Sequence, residues 1–90
     1  MDARFEDDLI EIAGDGNYLM LCAERKMLFL DGAVAAKVAL SDIAGLTAEA
    51  EAIVVRLNTG ATHVQPFPSA DAGFVTDAAT RLETAAAAWR

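Results

Sequence analysis

One histidine, His63, and one cysteine, Cys22, carry most of the chemistry that this 90-residue chain's composition allows. Acid–base catalysis by His63 requires a partner base or nucleophile within hydrogen-bond reach, and the neighbouring residues supply none. His63 is expected to be a half-exposed strand residue pointing away from the Val64 face. Cys22 closes the apolar run Tyr18-Leu19-Met20-Leu21-Cys22. A reactive thiolate needs nearby positive charge, but Arg25 and Lys26 belong to the following turn, so Cys22 reads as a small hydrophobe. The densest acid run is Glu6-Asp7-Asp8. Hard cations bind carboxylates set at alternate positions of a shaped, glycine-containing loop, and this run is instead read as a solvated acidic segment. No Cys/His spacing fits zinc. Gly14 and Gly16 lack the third glycine and the following helix of a phosphate-cradling loop. The expectation is therefore no catalytic residue, no metal site and no cofactor.

With polar chemistry set aside, the aromatic residues are the candidates for recognition. Trp and Tyr concentrate binding energy at protein interfaces. Tyr18, Phe67 and Trp89 are accordingly the interface candidates, although Trp89, at the last turn of an amphipathic segment, is equally suited to cover the core.

Composition narrows the partners. The formal net charge is −7, from seven Lys and Arg against fourteen Asp and Glu. Binding to nucleic acid or to an anionic membrane draws on Lys and Arg, so neither is an expected partner. No apolar run reaches the roughly 18 residues that span a bilayer. Met1–Asp8 lacks the basic and apolar regions of a secretion signal, and a lone cysteine fits a reducing compartment. The expected location is the cytoplasm. Hydrophobic residues make up 54% of the chain, enough for a folded single domain over residues 1–90 and inconsistent with disorder. Many of them are alanines, which fill little core volume. Apolar surface is left for a partner, and self-association is the simplest cover.

The elements that must position these residues are punctuated by Asp15-Gly16, Asp31-Gly32 and Asn58-Thr59-Gly60, all turn formers. Between them lie strand-like runs around Ile10–Ile12, Tyr18–Cys22, Met27–Leu30, Lys37–Leu40, Ile53–Leu57 and Thr62–Phe67. The runs at Tyr18–Cys22 and Met27–Leu30 are apolar on both faces, as in a strand covered on each side or covered on one side by another subunit. Two segments admit strand or helix: residues 33–39 and residues 48–57. Strand is preferred for both, because Asp31-Gly32 signals a hairpin and Ile53-Val54-Val55 is β-branched. A terminal helix follows Pro68, with Ser69 as its expected N-cap and Asp71 in its first turn. Val75, Ala78, Leu82, Ala85 and Trp89 recur at steps of three and four, forming one buried stripe. Leu82 is its centre, and Leu82→Ala would cost about 2–5 kcal/mol.

The predicted fold class is α+β: a curved antiparallel β-sheet or partly open barrel of about five to six strands, closed by one C-terminal amphipathic helix. From residue 37 the order is Val38-Ala39-Leu40-Ser41-Asp42-Ile43-Ala44-Gly45-Leu46, a hairpin through Asn58-Thr59-Gly60, then Phe67-Pro68-Ser69-Ala70-Asp71-Ala72 opening the helix. This order resembles the end of small bacterial pleckstrin-homology-like (PH-like) domains. The resemblance implies a binding or scaffolding module rather than an enzyme. Many such domains hold phosphoinositides with basic residues of the first hairpin loop. Asp15-Gly16-Asn17 is acidic instead, so that role carries over to no residue. Two functions are expected from this reading: a protein-interaction module that forms homo-oligomers, or a small-ligand-binding domain using the mouth between strands and helix.

Overall fold

A computed structural model describes all 90 residues. The chain is α+β, with eight antiparallel strands in two sheets and one C-terminal helix. β1 (Asp2–Phe5), β2 (Leu9–Gly14), β3 (Asn17–Cys22), β4 (Met27–Asp31) and β5 (Ala36–Ala39) form a five-stranded meander. A short 3₁₀ turn at Leu40–Asp42 carries the chain into the three-stranded sheet of β6 (Ile43–Glu49), β7 (Ala52–Leu57) and β8 (Thr62–Pro66). The sheets stay open and do not close into a barrel.

Eight strands replace the five or six expected. β1 was hidden by Asp2 and Arg4, which make it read as a solvated terminus. β6 was hidden by Ala44-Gly45, where a register shift between Ile43 and Gly45 breaks the alternation. Both ambiguous segments are free of helix. Residues 33–35 form a loop before β5, and the 48–57 segment is a hairpin turning at Ala50-Glu51. Ala50 takes the left-handed conformation there (φ 52°). The β2–β3 turn follows its sequence signal, with Asp15 at φ 56° and Gly16 at φ 76°. Positive φ at both central residues matches the right-handed twist of the strands they join.

Alternation along the central strands sends Ile10, Ile12, Leu19, Leu21, Leu28 and Leu30 inward, where they join Ile53 and Val55 from the other sheet and Phe67, which follows β8. In β8 the hydrophobic pattern inverts. Val64 is 47% exposed, whereas Gln65 is completely buried. Burial of an amide is tolerable only if its hydrogen bonds are made, and here they join the two sheets. Gln65 Nε2 donates to the carbonyls of Tyr18 (2.9 Å) and Asp31 (2.7 Å), with the Val34 carbonyl at 3.2 Å. Its Oε1 accepts from the Val34 N–H at 2.9 Å. Asn17 extends this seam, donating to the Pro66 carbonyl (2.8 Å) and accepting from the Ala33 N–H (2.7 Å). Gly32, at φ 119°, passes so close that a Cβ there would collide with Asn17 Oδ1. The Asp31-Gly32 signal thus serves close packing against Asn17 as well as a change of direction.

α1 (Ala72–Trp89) packs mainly on β6 and secondarily on β7. Its buried residues are Val75, Ala78, Ala79, Leu82 and Ala86, with Phe74, Ala85 and Trp89 partly buried against the core. The N-cap is Asp71, which accepts from the Gly73 N–H; it is not Ser69. Ser69 is held elsewhere: its N–H and its hydroxyl both donate to the Asp15 carboxylate, at 3.0 and 2.5 Å. The helix is fastened to the β6 edge by Glu83, whose Oε2 accepts from the Leu46 N–H. It reaches β1 through Arg81, whose guanidinium sits 4.7 Å from the centroid of the Phe5 ring. No helix is long and apolar enough to cross a membrane.

Candidate functional site

The strands that are apolar on both faces create the most distinctive surface of the molecule. β3 and β4 point Leu19, Leu21, Leu28 and Leu30 into the core, so Tyr18, Met20, Cys22, Met27 and Phe29 must project from the opposite face. These five side chains are half-buried, shielded by one another rather than by any further element of the chain. α1 packs on the other sheet and leaves this face uncovered.

The strand register arranges the face into rows. Arg4, Glu11, Met20, Phe29 and Lys37 lie side by side across all five strands. The next row is Asp2, Ala13, Tyr18 and Asp31. The third is Leu9, Cys22, Met27 and Ala39. Aromatic and thioether groups therefore occupy the centre, and charges stand at the margins.

Tyr18 is the polar element of the centre. Its hydroxyl donates to Glu11 Oε2 at 2.5 Å, and Glu11 Oε1 pairs with Arg4 Nη2 at 3.0 Å. Burial, followed by the bond to Glu11 and its charge, pushes the phenol up to about 12. Tyr18 also divides two shallow depressions. One, of about 130 Å³, is bounded by Asp2, Arg4, Glu11 and Ala13. The other, of about 510 Å³, is bounded by Phe29, Asp31, Ala35, Ala36 and Lys37.

A third concavity, of about 290 Å³, lies between β6 and α1 and is lined by Thr47, Ala48, Thr76, Thr80, Glu83 and Thr84, among others. Thr47 Oγ1 is buried there without a hydrogen-bond partner.

The residues singled out from sequence disperse. Tyr18 lies at the centre of the uncovered face. Phe67 is fully buried in the core and offers no surface to a partner. Trp89 is half-buried at the end of α1, packed on the core. Cys22 is on the outer face of β3, whereas His63 lies half-buried on β8 opposite Val55. No group of three or more His, Cys, Asp or Glu side chains is placed to hold a metal ion. Glu6–Asp8 forms the loop joining β1 and β2, so the first hairpin loop of the fold is acidic. Sequence reasoning missed Met20, Met27 and Phe29 as surface residues. Their signal was the two-sided apolar character of their strands, which marks a second face without saying which alternate residues occupy it.

Comparison with known proteins adds no identity, since no family model, no curated protein and no solved structure matches the chain.

Proposed function

We propose that this chain is a non-enzymatic interaction module with a PH-like architecture that works by self-association. One observation carries the reading: the outer face of β3 and β4 presents Tyr18, Met20, Cys22, Met27 and Phe29 with no cover from the rest of the chain. A contiguous apolar surface rimmed by charge is the usual mark of a protein contact. The acidic net charge and the acidic β1–β2 loop argue against phosphate-rich partners. Cys22 and His63 stand on different sheets, which leaves neither with the other as a catalytic partner. The PH-like likeness rests on the sequential hairpins followed by a terminal helix, and it favours scaffolding over catalysis. A protein of this kind belongs in the cytoplasm, consistent with its lone cysteine.

The test is light scattering coupled to size exclusion, across a concentration series reaching the high micromolar range. A mass that rises from monomer to dimer supports the reading. A strict monomer throughout removes it.

A second reading follows from the β6–α1 groove, where the unpartnered Thr47 Oγ1 would suit a small ligand with a hydrogen-bonding group. A thermal-shift screen against a broad metabolite panel tests it. A hit that Thr47→Val abolishes supports it, and no shift with any compound eliminates it.

A further inference from the structure

Asp31 and Lys37 carry charges that the fold does not use. Lys37 pairs with Phe29, and Asp31 lies two residues further along β4, so the two stand diagonally across neighbouring strands. Side chains placed in this way have Cβ atoms about 7–8 Å apart. Neither makes an ion pair, with the other or with any other group. Asp31 joins the polar seam through its main-chain carbonyl alone. Both residues border the depression of about 510 Å³ at the margin of the uncovered face. That depression has a simple origin. β5 begins only at Ala36, so Ala35 and Ala36, which carry nothing beyond Cβ, line the gap beside Tyr18 and Phe29. Tyr18 is a fixed wall, because its hydroxyl is bonded to Glu11 of β2, on the side away from β4 and β5. The volume falls within the range of about 300–1,000 Å³ that small molecules occupy.

An acid and a base beside two aromatic rings define the ligand. An anion alone would be drawn by Lys37 and repelled by Asp31, and a cation alone would meet the reverse. A ligand bearing both charges satisfies both with charge-assisted hydrogen bonds. Its apolar part must lie against Tyr18 and Phe29, where contact between rings adds to the burial of area. A free aromatic amino acid unites these groups, with ammonium and carboxylate on one carbon and the ring one carbon further. Within a peptide a residue loses both charges, and each chain end keeps only one.

We propose that the depression between Tyr18, Phe29 and Ala35 binds a free aromatic amino acid, with Asp31 accepting from its ammonium and Lys37 donating to its carboxylate. The site is complete in one copy of the chain and does not depend on self-association. Asp31 and Lys37 are exposed, so each ionic contact is screened and modest. A ligand of this size in so open a site binds with a Kd of about 1 mM.

The test is a titration of dilute, isotope-labelled protein with L-phenylalanine, followed through amide resonances. Dilution matters because a second copy laid over Tyr18 and Phe29 would compete. The resonances of Tyr18, Phe29 and Lys37 should shift saturably while those of α1 stay fixed. Phenethylamine keeps only the ammonium and hydrocinnamate only the carboxylate, and each should bind about fivefold more weakly. Asp31→Asn should weaken phenylalanine and phenethylamine about fivefold and leave hydrocinnamate no weaker. Lys37→Gln should weaken phenylalanine and hydrocinnamate and spare phenethylamine. Ala35→Leu fills the gap and should abolish binding of all three. Circular dichroism melting checks that each variant stays folded. The proposal is overturned if phenylalanine gives no saturable shift, or shifts only other parts of the chain. It is overturned equally if both single-charge analogues bind as well as phenylalanine, or if either charge variant weakens all three ligands alike. None of these outcomes bears on self-association, which light scattering decides separately.

Discussion

Gln65→Met isolates the contribution of the polar seam between the sheets. Methionine nearly matches glutamine in length and volume, so the substitution removes hydrogen bonds without opening a cavity. Four contacts disappear: those to the carbonyls of Tyr18, Asp31 and Val34, and that from the Val34 N–H. Each buried group left unpaired costs about 1–3 kcal/mol. Burying the thioether in place of the amide returns roughly 1–2 kcal/mol. Asp31 is exposed and Tyr18 and Val34 are only half-buried, so rehydration in the variant offsets part of the loss. The net loss should be about 2–4 kcal/mol. For a domain whose whole stability is about 5–10 kcal/mol, that is a large fraction. The assay is urea denaturation followed through Trp89 fluorescence and backbone circular dichroism. With a slope of about 1 kcal/mol/M for a chain of this size, the midpoint should fall by about 2 M or more at unchanged slope. Val64→Thr, on the exposed neighbour, should shift stability by no more than about 0.5 kcal/mol. A loss below about 1 kcal/mol for Gln65→Met would refute the claim that this amide joins the sheets.

Three further tests address local features. Ala50 pays a left-handed penalty that glycine avoids, so Ala50→Gly should raise the melting temperature by several degrees, corresponding to about 0.5–1 kcal/mol; a decrease in a thermal melt would contradict the turn geometry. The Ser69 hydroxyl and N–H hold the Asp15 carboxyl below its ordinary 3.8. The charged form is favoured in the fold, so this contribution is present above pH 3.8 and is lost as pH falls through the lower folded value. Ser69→Ala should therefore destabilise at pH 6 more than at pH 2, as read by paired thermal melts. Tyr18 is the single tyrosine, so ultraviolet absorbance reports it alone. Its titration in the folded protein should centre near 12, and the stability it contributes is intact below its ordinary 10 and lost as pH rises through that higher value. Glu11→Gln should move the midpoint downward.

The physical reasons for success and failure in reading the chain differ by element. The terminal helix was legible because Val75, Ala78 and Leu82 recur at helical spacing, and all three are buried. The Asp15-Gly16 hairpin was legible because few residues other than these accept positive φ. Ser69 was misread as a cap because Asp15, its actual partner, is 54 positions away in sequence. Phe67 looked like a recognition residue because size and aromaticity are common to cores and interfaces. Gln65 passed unnoticed because its burial depends on carbonyls of β3, β4 and the β4–β5 loop, none of them local. The uncovered face was half legible: two-sided strands announced it, but its rows of charge exist only once the register is known.

Two open sheets leave four strand edges in a short chain: β1, β5, β6 and β8. Unpaired edges invite other chains to add strands without limit. Each edge here carries an obstacle to such growth. β1 is short and bears Asp2 and Arg4; β5 is short and bears Lys37. On β6 the Leu46 N–H is already taken by Glu83. β8 ends in Pro66, which has no N–H to offer. Ladder extension, the route to fibres, is thereby discouraged at every margin. Were copies to associate through the outer face of β3 and β4, as proposed, growth would stop at two, because that face is consumed when it is used.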